Sequence, residues 1–186
     1  MKSIVLFGDS FLANIDKAAT LKLQDKIPNS VIYNCATGGF DTSDCLIRAS
    51  LVSKMKADYI IISIGTNDAS PWKQVPLEVF KSNLIKIIDI LKDSKLVYFL
   101  PPPVDESKHD PAKIRKNETM NEYRESVRKI LGDKVVYLNS DDFYGKLGKH
   151  GIEYHISDGV HLNQVGYVTL FNELSKLFTK LLNSSA

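Results

Sequence analysis

Residues 3–11 read Ser-Ile-Val-Leu-Phe-Gly-Asp-Ser-Phe. The apolar run Ser3–Phe7 stops at a glycine, and Asp9-Ser10 opens a stretch in which Leu12, Ile15, Ala19 and Leu23 recur at three- and four-residue steps. That order of signals predicts a buried strand turning into an amphipathic helix. In open α/β sheets, the turns at the carboxyl ends of the strands carry the ligands and the chemistry. Ser10 therefore has two readings. It is either the cap of the helix, a position that favours Asp and Ser alike, or a nucleophile, which needs a base and an oxyanion site elsewhere in the chain. The two are compatible, because a helix N-terminus also favours negative charge.

Working outward, four more apolar runs appear: Val31–Cys35, Tyr59–Ile64, Leu96–Leu100 and Val135–Leu138. Each is nearly continuous rather than alternating, as in strands buried on both faces of a parallel sheet. Helical spacing lies between them. Phe80, Leu84, Ile87, Ile88 and Leu91 form one set, with Pro76 and Glu78 placed as in a first turn. Met120, Tyr123, Val127, Ile130 and Leu131 form another, stopped by Gly132, and the last runs Val165, Val168, Phe171, Leu174, Phe178 and Leu181. These stripes read as core-facing positions. Strand and helix in alternation predict an α/β fold with five parallel strands and right-handed crossovers. The loops Ala69–Val75 and Pro101–Lys116 follow strands and should lie beside Ser10.

The 186 residues suit one domain, 1–186, with a full core. Hydrophobic residues make up 44% and charged residues 25%, and the net charge of +2 is mixed along the chain. Nothing in that balance points to nucleic acid or an anionic membrane surface. No apolar run approaches the roughly 20 residues of a membrane helix. The early charges Lys2 and Asp9 do not fit a signal peptide, which predicts a cytoplasmic protein. Cys35 and Cys45 are too few for a disulfide framework. Cys35, at the end of an apolar run, reads as a buried thiol, and Cys45 falls in a predicted helix.

Three further segments bear on the chemistry. Asn34-Cys35-Ala36-Thr37-Gly38-Gly39-Phe40-Asp41-Thr42 follows the second strand. Its glycine pair lets the backbone approach a ligand and aim an N–H at a developing oxyanion, although a tight turn capped by Asp41 or Thr42 would look the same. Gly65-Thr66-Asn67-Asp68 follows the third strand. Asn67 offers a side-chain N–H to the same charge, or it closes an Asx turn. Asp158-Gly159-Val160-His161-Leu162-Asn163 precedes the last helical stripe. A carboxylate three residues before a histidine can orient the ring and stabilise its charged form, as in a Ser-His-Asp triad. His109, His150 and His155 have no such partner and read as structural.

Taken in order, Gly8-Asp9-Ser10-Phe11, Asn34 to Gly39, Gly65-Thr66-Asn67-Asp68 and Asp158-Gly159-Val160-His161 resemble the four motif blocks of the SGNH, or GDSL-type, serine esterases and lipases. The resemblance runs from about residue 4 to about residue 170. Phe11 stands where the family name implies Leu. Leu100-Pro101-Pro102-Pro103-Val104-Asp105-Glu106 is similar to the proline-rich loop of isoamyl acetate esterase-like members. The resemblance implies a three-layer α/β/α flavodoxin-like sandwich, a shallow site, no cofactor and no metal. It implies Ser10 as nucleophile, His161 as base and Asp158 as its orienting carboxylate. It also implies an oxyanion hole from the backbone of Ser10 and Gly39 and the side chain of Asn67, with Gly38 the alternative glycine. The expected substrate is a small ester with a short acyl group; Trp72 and Pro101–Pro103 either wall the pocket or simply pack. An acyltransferase on the same site, a flavin carrier of the same fold and a non-catalytic binding protein are the rival classes. The flavin reading needs a Ser/Thr/Gly-rich phosphate loop after the first strand, where Phe11-Leu12-Ala13-Asn14 stands instead. The oligomeric state is left open.

Overall fold

A computed structural model describes residues 1–108 and 115–183. The predicted His109 and part of the Pro101–Lys116 loop lie outside those residues. Five strands form one sheet: β1 (Lys2–Gly8), β2 (Ser30–Asn34), β3 (Tyr59–Ser63), β4 (Lys95–Phe99) and β5 (Val136–Leu138). Their order is β2-β1-β3-β4-β5, and every pairing is parallel. The helices are α1 (Ser10–Ala13), α2 (Lys17–Lys26), α3 (Thr42–Ser53), α4 (Leu77–Ile90), α5 (Asn117–Leu131), α6 (Ser140–Lys149) and α7 (Gln164–Asn183).

Strand side chains alternate between faces, and the core divides accordingly. Val5, Phe7, Ile60, Ile62 and Tyr98 pack with α3, α4 and α5 on one side. Ile4, Leu6, Tyr59, Ile61, Val97 and Phe99 pack with α1, α2, α6 and α7 on the other. Both faces are thus covered, which is why the runs are continuous rather than alternating. Each fully buried Ile, Leu or Phe contributes about 2 kcal/mol. Among the described residues, no helix is long and apolar enough to cross a membrane.

Three expectations need correction, and one helix was not predicted. The Leu12–Leu23 stripe is two helices, because Asn14 caps the end of α1 and the Asp16 carboxylate accepts the Ala19 N–H at 2.7 Å to start α2. In α7 the buried face is Gly166, Leu170, Phe171, Leu174 and Phe178; Val165 and Val168 lie 43% and 50% exposed. Steps of three drift around a helix of 3.6 residues per turn, so those two valines point away from the sheet. Cys35 is half-buried, because it follows β2, the edge strand; it packs at the margin of the core with Met55 Sδ 3.6 Å from its sulfur. The helix α6 had no periodic signal: Gly145 and Gly148 dilute it, and Phe143 and Tyr144 are its only buried large residues.

Chain order reverses at β1: β2 lies on one side of it and β3 on the other. This is a topological switch point, where open α/β sheets form a crevice at the carboxyl ends of the strands. The segments after β1, β2 and β3 all open into it.

Candidate active site

Ser10 is the first residue of α1, but it is not the cap. Asp9 takes that role, its Oδ1 accepting the Phe11 N–H at 3.1 Å. The Ser10 hydroxyl is thereby left for another partner, and it lies 2.9 Å from His161 Nε2. On the far side of the ring, Nδ1 lies 2.5 Å from Asp158 Oδ2. The other oxygen of Asp158 accepts the backbone N–H groups of Val160 and His161, both at 2.9 Å. Burial alone would raise the pKa of Asp158, but the His161 hydrogen bond and these two N–H donors outweigh it and hold the carboxyl below its ordinary value. An ionised Asp158 accepts the Nδ1–H and leaves the Nε2 lone pair facing Ser10.

The loop that carries Asp158 and His161 is strapped to the proline-rich loop. The Asp105 N–H donates to Gly159 O at 2.8 Å, and His155 Nε2 lies 2.9 Å from Pro103 O. Lys108 pairs with Glu153. His155 is 6% exposed, and its Nδ1 lies 3.6 Å from Glu153 Oε1, a carboxylate partner that the sequence did not indicate.

The two segments proposed to supply oxyanion donors are tied to each other. Asn67 Nδ2 donates to Phe40 O at 2.9 Å. Asp68 Oδ1 accepts both the N–H and the hydroxyl of Thr42, at 2.9 and 2.5 Å. Asp41, one of the two predicted caps, starts α3 in a capping box with Asp44. Lys73 Nζ donates to Gly39 O at 2.7 Å and pairs with Asp41 and Asp44. Gly39 has φ +81°, so the turn that presents this segment favours a glycine there. A Cβ on Gly38 would stand 4.0 Å from that of Ser10, so the glycine pair runs alongside the serine.

Sequence reading gave no role to Arg115, and it quoted Asp9 and Asp68 within motifs without assigning either a role. Arg115 is 9% exposed, its Nε donating to Thr66 O at 3.2 Å and a terminal nitrogen to Asn67 Oδ1 at 3.3 Å. Its guanidinium lies over the Trp72 ring at 4.5 Å. Trp72 is 52% exposed, so it both packs on Arg115 and faces solvent at the rim. No periodicity marks Arg115; only the loop's position after β4 hinted at it.

Asp9 and Asp68 are fully buried acids, and each leaves its Oδ2 without a hydrogen-bond partner among the described residues. Burial pushes Asp9 up to about 7 and Asp68 up to about 6; their hydrogen bonds only partly offset it, and the charge of Asp68 adds to the rise at Asp9. An acid whose folded pKa is raised binds more protons folded than unfolded, so stability falls as pH climbs from the ordinary carboxylate range to the raised value. The protein should therefore lose stability between about pH 4 and pH 7 through these groups. Asp9→Asn keeps an oxygen for Phe11 and for the Ser63 hydroxyl and should flatten part of that decline. Urea midpoints at about pH 5 and about pH 8 check this; an undiminished decline in the variant would place the dependence elsewhere. Among the described residues, no group of three His, Cys, Asp or Glu side chains is arranged to hold a metal ion.

Fold and site together define the class: an α/β protein whose polar residues gather where β1 and β3 end. The chain belongs to the GDSL-like lipase/acylhydrolase family, whose profile matches residues 6–168. It is an esterase of that family. A GDSL esterase/lipase of Arabidopsis thaliana is 27% identical over 214 residues, covering 94% of this chain and 84% of the relative. An isoamyl acetate-hydrolyzing esterase 1 homolog of Bos taurus is 26% identical over 144 residues, covering 67% of this chain and 57% of the relative. The lipase/acylhydrolase from Enterococcus faecalis superposes with a TM-score of 0.81 at 24% identity, over 95% of this chain and 94% of that one. At such identity the superposition shows the fold, the predicted α/β/α arrangement around five parallel strands.

Proposed function

We propose that the protein hydrolyses small carboxylic esters with short acyl groups through an acyl-enzyme on Ser10. One observation carries this reading: the unbroken line from Ser10 Oγ to His161 Nε2 at 2.9 Å and from His161 Nδ1 to Asp158 at 2.5 Å. In the first half-reaction Oγ bonds to the ester carbonyl carbon as its proton passes to Nε2, and the carbonyl electron pair moves onto oxygen. The tetrahedral species collapses by breaking the bond to the alcohol oxygen, which leaves with the proton from Nε2. Water then attacks the acyl-serine, gives its proton to Nε2, and the acid departs as Oγ regains that proton. Asp158 holds the ring in the required tautomer and stabilises its charged form throughout.

The oxyanion meets the backbone N–H groups of Ser10 and Gly39, with Gly38 the alternative, and the second N–H of Asn67. One such donor is worth on the order of 3 kcal/mol. Asn67→Ala should therefore lower kcat roughly a hundredfold or more with little change in KM. Near-normal turnover in that variant would remove Asn67 from the site.

The short-acyl reading rests on the open setting of the site: the His161 side chain is 30% exposed, and one relative is named for hydrolysing an acetate ester. A series of p-nitrophenyl esters of increasing acyl length tests it, with the highest kcat/KM expected at the short end. Rates that climb with chain length would overturn it. Treatment with a fluorophosphonate, which bonds phosphorus to an activated serine as fluoride leaves, should label the peptide bearing Ser10. Label found on another serine would overturn the assignment of the nucleophile.

A further inference from the structure

We propose that Arg115 is a positioning residue for ester hydrolysis, one that fixes the Asn67 amide with its nitrogen toward the oxyanion. The inference rests on the reading of Asn67 as an oxyanion donor. A primary amide has two nearly isosteric ends. Rotated by half a turn, Asn67 would present an oxygen to the developing negative charge and repel it. Two contacts discriminate the ends. Phe40 O only accepts, so it selects Nδ2, at 2.9 Å. The guanidinium of Arg115 only donates, so it selects Oδ1, at 3.3 Å. Reversing the amide would set oxygen against oxygen at Phe40 and N–H against N–H at Arg115. With Phe40 O taking one Nδ2–H, the second is the one left for substrate.

The guanidinium is itself held. Thr66 O accepts its Nε–H at 3.2 Å, Trp72 covers its face at 4.5 Å, and the side chain is buried. A lysine offers neither the planar face nor the two-direction fork. Among the described residues no carboxylate oxygen lies within 4 Å of it as an ion-pair partner, and the two acceptors it meets there, Thr66 O and Asn67 Oδ1, are neutral oxygens. Donation from a cation to Oδ1 polarises the amide and strengthens the N–H on the other side. Arg115 thus acts on the transition state through Asn67, without touching the ester.

A double-mutant cycle on the full chain tests this, with p-nitrophenyl acetate as substrate and Ser10→Ala as reference. Arg115→Met, of similar length and without charge or donors, should lower kcat roughly tenfold to a hundredfold while KM changes less than about twofold. In the Asn67→Ala background the same substitution should cost less than about threefold, because the group it positions is gone. Arg115→Lys should recover only part of the loss, and it replaces Arg115→Met in the cycle should the latter fail to fold. Equal costs in both backgrounds, or a loss expressed in KM, would overturn the positioning role, since a merely structural residue costs the same with or without Asn67. If Ser10→Ala hydrolyses the ester as fast as the wild type, the nucleophile assignment has failed instead, and the two failures are told apart within one set of assays.

Discussion

Replacing Ser10 with Ala should abolish measurable ester hydrolysis, lowering kcat by about four orders of magnitude or more, while the protein stays folded. The size follows from the geometry. The hydroxyl is the only atom of the line that forms a bond to carbon, and removing a triad serine leaves only what oxyanion stabilisation and binding supply. The fold should tolerate the change, because Asp9 rather than Ser10 caps α1 and, among the described residues, the Ser10 hydroxyl has its hydrogen bond to His161 alone. His161→Ala should cost a similar factor and should not add to the serine loss, because the two act as one unit. Steady-state rates with thermal melts of each variant make the check. A folded Ser10→Ala protein with wild-type turnover would end the assignment.

The second large effect concerns stability. Gly8 has φ +136°, and a Cβ there would lie 1.9 Å from Ser63 O, in the backbone of the neighbouring strand. That oxygen accepts the Asp9 N–H at 2.9 Å, so it cannot move aside without loosening the cap of α1. Gly8→Ala must either part β1 from β3 at the centre of the sheet or twist out of its backbone region. Overpacking and left-handed strain together should cost about 4 kcal/mol, a large share of the stability of a domain this size. A urea midpoint close to the wild-type value would show that the strand ends give way more easily than this. Hydrolysis should fall as well, because the same shift moves Ser10 relative to Asn67.

Those two residues also mark where sequence reading works and where it stops. Ser10, Asn67 and the Asp158–His161 pair were legible as candidates because each lies just after a strand or just ahead of a helix, and those elements announce themselves through short-range apolar periodicity. The parallel sheet was legible because burial on both faces leaves uninterrupted Val, Ile and Leu. Arg115 was not, since its role depends on a loop after β4 reaching across to a loop after β3, and no spacing encodes that contact. Asp9 was quoted but overlooked as the cap: Asp and Ser side by side both suit that position, and only the hydrogen bonds decide between them. The inward face of α7 was misjudged at Val165 and Val168 because apolar residues at three-residue steps look the same whether they bend toward the sheet or away from it. Cys35 was placed inside for lack of any signal that β2 would be an edge.

The proposed nucleophile and base stand 151 residues apart in the chain. During synthesis, Ser10 emerges well before His161, at the start of α1 and just after β1, whose two neighbouring strands have yet to form. Its partner arrives only with the last segment before α7. On the proposed roles, a growing or truncated chain that lacks that segment holds a serine with no base to activate it. Appearance of esterase activity is accordingly a late clock for refolding: it should lag behind helix formation and coincide with the docking of α7.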